Sequence, residues 1–151
     1  MKKALIIPAL FIFLGLASCK KDAPAPLQDD NKEFSTAASK AFSSCGIWHV
    51  AIYTPNGTDA TSTYGGYQFS FCPDNTLTAS NDILTVTGNW YLLLGAGGDK
   101  SYFQLDFKSN DHTSRIDELD GMWVIKGLTE DKITLEDSTG ATRLVFVLIS
   151  K

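Results

Sequence analysis

From Trp48 onward apolar and polar residues alternate in short runs, and each run stops at a cluster of glycine, proline, asparagine or aspartate. Trp48-His49-Val50-Ala51-Ile52-Tyr53 alternates, and Tyr67-Gln68-Phe69-Ser70-Phe71-Cys72 does so more cleanly. A period of two is the mark of a strand with one buried face. Pro73-Asp74-Asn75 is a tight turn into Thr76–Ser80, and Leu84–Leu94 follows with Val86, Gly88, Trp90 and Leu92 on one side. Beyond the glycine-rich turn at 95–99, Ser101–Lys108 carries Phe103, Leu105 and Phe107 inward. The polar stretch 109–118 leads to Leu119–Lys126, with Trp123 and Ile125 in one register and Met122 and Val124 in the other. Asp131–Glu136 and Thr142–Ile149 complete the series. Eight short antiparallel strands joined mostly by short turns form an up-and-down meander, which removes its edges by closing into a barrel. The expected fold class is all-β, a barrel over residues 46–151.

Upstream the rhythm changes. In 32–45, Phe34, Ala38, Ala41, Phe42 and Cys45 fall near a helical period, with Asp29 or Asp30 available as an N-cap. This predicts a short amphipathic helix that covers one end of the barrel, with Phe34 and Phe42 pointing inward; further linker is the alternative. Residues 19–31, with Pro24 and Pro26 and an acidic patch, have no apolar rhythm and read as an extended, solvated linker.

Residues 1–18 have a different character. Lys2 and Lys3 precede an apolar run broken only by Pro8, which ends at Gly15 to Ser18 and then Cys19. The run is shorter than the roughly 20 apolar residues of a spanning helix, and lysines follow it. The stretch Leu16-Ala17-Ser18-Cys19 resembles the signal peptide and lipobox of bacterial lipoproteins. That resemblance implies cleavage before Cys19 and acylation of its thiol and new amino terminus, so the lipid bilayer is an expected partner. Several acyl chains anchor stably where one holds only marginally. Lys20 rather than aspartate after the cysteine resembles lipoproteins sent to the outer membrane, facing the periplasm or the cell surface.

The charge of −4 over 151 residues, with no basic stripe, argues against nucleic acid or anionic surfaces as electrostatic partners. With Cys19 lipidated, Cys45 and Cys72 remain as a pair in an oxidising compartment. Pairing Ile52 with Tyr67 across the intervening loop brings Cys45 and Cys72 to one face within about one pairing step. A disulfide is the expectation, with two half-buried thiols as the alternative.

Gly46-Ile47-Trp48, Gly66-Tyr67-Gln68-Phe69-Ser70-Phe71, Thr87-Gly88-Asn89-Trp90-Tyr91-Leu92 and Leu119-Asp120-Gly121-Met122-Trp123-Val124 together resemble the lipocalin-like domain of small Gram-negative lipoproteins. The resemblance implies an eight-stranded up-and-down barrel. It departs in one respect, since no helical pattern follows the last strand.

The candidate binding surface is the barrel interior, lined by Trp48, Phe69, Phe71, Trp90, Phe103, Phe107, Trp123 and Phe146. A barrel of this size is either filled by side chains or wide enough for one small ligand. The expected function is a membrane-anchored binder of a small apolar molecule or lipid fragment; the alternative is a solid barrel presenting loops to a glycan or an envelope protein. The loop 56–66 is the long loop at one mouth, and Tyr53, Tyr64 and Tyr91 are expected as exposed aromatics for a partner surface. The sequence contains no nucleophile elbow, HExxH or CxxC, so no enzyme, cofactor or metal site is expected. Asp111, His112, Asp117, Glu118 and Asp120 cluster without the spacing of a calcium loop and read as solvated loop. Asp137-Ser138-Thr139 resembles a short O-glycosylation signal, and a hairpin turn explains it equally.

Overall fold

A computed structural model describes residues 30–95, 99–108 and 115–150. The signal stretch, Cys19, most of the linker and His112 lie outside the described residues. The helix α1 spans Asp30–Ala41, and eight strands follow: β1 Gly46–Thr54, β2 Gln68–Phe71, β3 Thr76–Ser80, β4 Thr85–Leu93, β5 Tyr102–Phe107, β6 Gly121–Leu128, β7 Lys132–Glu136 and β8 Arg143–Ser150. Each strand pairs antiparallel with its sequence neighbours, and β8 returns to β1, so the barrel is closed.

In such a meander the β1–β2, β3–β4, β5–β6 and β7–β8 connections lie at one end, called the mouth. The other end, called the floor, holds the start of β1 and hence the exit of α1. Ala38, Ala41 and Phe42 of the helical stripe are buried, while Phe34 is only half-buried. The stripe therefore covers the floor as its spacing predicts, with Phe42 supplying the ring that enters.

Three register shifts interrupt the ladders. In β1 the register against β8 shifts between Val50 and Ile52, so Ala51 is an extra residue in the ladder. A bulge of this kind resets the in-out alternation. Tyr53, not Ile52, therefore joins the core, and Ile52 is half-buried outside it. The other two shifts lie between Ile47 and Trp48 against β8 and between Ile125 and Gly127 against β7.

Gly88 shows how tightly neighbouring strands meet. A Cβ there would lie 2.1 Å from the Asp106 carbonyl oxygen and 2.8 Å from Phe107 Cα, both backbone atoms that cannot rotate away. The Gly88→Ala variant is expected to lose about 2 kcal/mol of stability through forced separation of β4 from β5, read as a lower urea midpoint at unchanged m-value. An unchanged midpoint would show that the ladder yields more easily than this geometry allows.

At the β7–β8 turn, Asp137 Oδ1 accepts from the amides of Thr139 and Ala141, each at 3.0 Å, and from the Thr139 hydroxyl at 2.8 Å. The Thr139 hydroxyl is the main cause that holds this carboxyl down at about 2. The triplet Asp137-Ser138-Thr139 is thus a self-bonded hairpin turn.

Candidate functional site

All eight residues expected to line the interior are buried: Trp48, Phe69, Phe71, Trp90, Phe103, Phe107, Trp123 and Phe146. All but Trp123 meet one another as rings. Phe69 and Phe71 lie 5.1 and 5.3 Å from Phe146, edge to face, and Trp90 stacks on Phe103 at 5.5 Å. Phe42 enters from α1 and sits 4.4 Å from Trp90 and 5.7 Å from Phe103. These separations are those of packed aromatic pairs. The polar ends of two tryptophans are satisfied internally, Trp90 Nε1 donating to the Cys72 carbonyl and Trp123 Nε1 to the Leu119 carbonyl, both at 2.9 Å. Trp48 Nε1 is buried with no acceptor among the described residues.

The Cys45–Cys72 disulfide is formed, with Cα atoms 4.3 Å apart. Its register follows from Gly46 pairing with Phe71, which puts the two cysteines opposite each other one position further along. The bridge therefore ties the exit of α1 to the end of β2.

The mouth differs from its sequence reading. Tyr53 and Tyr64, expected to be exposed, are 4% and 1% exposed. Tyr53 turns inward because of the Ala51 bulge. Tyr64 ends a 3₁₀ turn, Thr61–Tyr64, that folds back over the barrel wall. The two rings meet edge to face at 5.2 Å, and the Tyr64 hydroxyl donates to the Arg115 carbonyl at 2.8 Å. Burial raises both phenols above the ordinary tyrosine range, Tyr64 well above it, so both stay neutral. A second 3₁₀ turn, Arg115–Leu119, lies inside the stretch read as solvated loop and buries Ile116 and Leu119 completely. Its acidic residues face other tasks. Glu118 forms a two-pronged ion pair with Arg115 at 2.6 and 3.0 Å, and Asp120 Oδ1 accepts the Phe107 amide at 2.7 Å. Burial pushes the Asp120 carboxyl up. Among the described residues no group of three acidic, histidine or cysteine side chains is placed to hold a metal ion.

Tyr91 is the one member of the expected tyrosine surface that is exposed, at 40%. It lies on the outer wall, where Tyr91 pairs with Gln104 and Gln104 with Met122. The adjacent row is Leu93, Tyr102 and Val124. Neither row contains a charge, and Leu93, Leu94 and Met122 are exposed. A groove lined by Leu93, Leu94, Gly95, Asp99, Lys100 and Tyr102 continues the patch toward the floor.

No family model and no curated protein matches the chain. A solved structure does: a DUF4847 family protein from Bacteroides vulgatus ATCC 8482, determined by crystallography. It shares the fold. The superposition has a TM-score of 0.54 and covers 76% of this chain and 99% of that one, at 17% identity. The likeness extends to the architecture and carries no activity or ligand with it.

Proposed function

We propose that this protein is a membrane-tethered, lipocalin-like interaction module whose filled barrel offers its outer wall to another envelope protein. The observation that carries the reading is the uncharged double row across β4, β5 and β6, with Tyr91, Leu93 and Met122 exposed on it and Leu94 exposed just beyond its end. Monomeric proteins seldom leave contiguous apolar surface of this kind without a partner, and aromatic and methionine side chains are enriched at the centres of interfaces. The packed rings of the interior support a filled barrel over a standing cavity for a lipid fragment. Leu16 to Cys19 supply the tether in this reading, with 20–29 as its reach. No catalytic role is assigned.

A photo-crosslinking residue placed at Tyr91 is expected to give a discrete protein adduct in the native envelope. That adduct should disappear when Met122→Asp is added, and should be absent when the crosslinker is moved to Ile83, an exposed residue at the mouth. The same adduct from both positions, or none from Tyr91, would refute the interface. Mass spectrometry of membrane-extracted protein tests the tether separately, and an unmodified Cys19 in the mature chain would remove it.

A further inference from the structure

We propose that residues 58–66 form a strap that swings away from the barrel mouth, and that the slot beneath Tyr64 then binds a small aromatic molecule carrying a hydrogen-bond donor. The slot is visible because Tyr64 already occupies it. Its ring lies against Tyr53 at 5.2 Å and Tyr67 at 6.3 Å, with the hydroxyl on the Arg115 carbonyl at 2.8 Å and 3.4 Å from Glu118 Oε2. Tyrosine-ring walls ending in the part-buried Arg115 carbonyl select a phenol-like ring over a plain hydrocarbon, since leaving that acceptor unpaired away from water is costly.

The strap is separable from the barrel. β1 pairs with β2 only at Gly46, Ile47 and Trp48, so the upper part of β1 has no strand on that side. The strap stands in for the missing strand, with the Ala60 amide donating to the Tyr53 carbonyl and the Tyr53 amide donating to the Thr61 hydroxyl, each at 2.9 Å. A departing strap would release these, the Tyr64 hydroxyl's bonds and the 3.4 Å bond from Arg115 Nη1 to the Thr63 hydroxyl, leaving the other ladders intact. Tyr64 is the only residue of 58–66 that is fully buried. A glycine stands at each end of the strap. Gly57 has φ of +79° beside Asn56 at +50°, and a Cβ on either Gly57 or Gly66 would meet nothing within 4 Å, so packing does not require these glycines. Locally held segments that bury few groups are the ones that open without global unfolding.

This inference is independent of the outer-wall interface and survives its failure. Amide exchange on the intact folded domain tests it directly. Tyr53 and Ala60 are expected to exchange roughly 100-fold faster than Phe69 and Leu77, and p-cresol should lower the protection of Ala60 further, while toluene has a smaller effect. In Tyr64→Ala the vacated slot should bind p-cresol about tenfold more tightly than the intact protein does, because the competing ring is gone. Tyr91→Ala should leave that affinity unchanged. If Tyr53 and Ala60 exchange only as slowly as Phe69, with and without p-cresol, the strap is a fixed part of the wall and the proposal is overturned. That measurement stands even if Tyr64→Ala fails to fold.

Discussion

Replacing Phe42 with alanine is expected to cost about 4 kcal/mol of stability, within the range for deleting a buried aromatic ring. Phe42 lies just beyond the last turn of a short helix, yet it is 6% exposed and packs on Trp48, Phe71, Trp90 and Phe103. Removing the ring strips four aromatic partners of one neighbour each and leaves a void at the barrel floor. That void cannot collapse easily, because Trp90 and Phe103 belong to strands fixed by their own ladders. The loss should appear as a lower urea midpoint together with a weakened near-ultraviolet circular dichroism signal, as the tryptophans lose their fixed surroundings. A cost below about 1 kcal/mol, the level of a surface substitution, would mean that α1 rests on the barrel without completing it. Phe34→Ala, at a half-buried position on the same stripe, should cost much less.

The contrast between floor and mouth explains what was legible in the sequence. Strand alternation identified the eight strands, and the helical spacing of Ala38, Ala41 and Phe42 identified the cap, because both patterns record burial on one face of a regular element. The same logic failed wherever regularity is interrupted. One extra residue at Ala51 exchanges the fates of Ile52 and Tyr53, and nothing in a run of alternating residues marks where a bulge will fall. Tyr64 sits among threonines, serine and glycines, a composition that reads as exposed loop. Its ring packs on Tyr53 and its hydroxyl bonds to Arg115 and Glu118, more than fifty positions away. Ile116 was the available signal in the polar stretch: a lone apolar residue among charges, with Leu119 three positions later, is the spacing of a single inward-facing turn. The outer-wall patch was only partly legible, since Tyr91 stood out by type while Met122 joins it through the register of three strands.

Converting Cys45 and Cys72 to serine is expected to lower stability by about 3.5 kcal/mol, the chain-entropy value for a loop of this length. The two residues are 27 apart in sequence, and the bridge closes the β1–β2 excursion, including the strap, into one loop. In that account the bond acts on the unfolded chain, which regains the freedom the loop had lost, so the folded barrel should be unchanged in its circular dichroism. Reduction of the intact protein should give the same shift in melting temperature as the double serine variant, and a loss under about 1 kcal/mol would contradict the loop-entropy account. The position of Cys45 adds a native-state contribution that can be separated from this. It lies three residues after Phe42 and ties the exit of α1 to the end of β2. If the bridge also seats the helix, removing it already loosens Phe42, and the Phe42→Ala variant on the serine background should cost less than on the bridged one. Contacts that share a partner show coupling of about 0.5–3 kcal/mol, whereas independent sites add to within a few tenths. A measured coupling in that range would make the floor one cooperative unit of helix cap, disulfide and aromatic cluster; simple additivity would confine the bridge to the unfolded state.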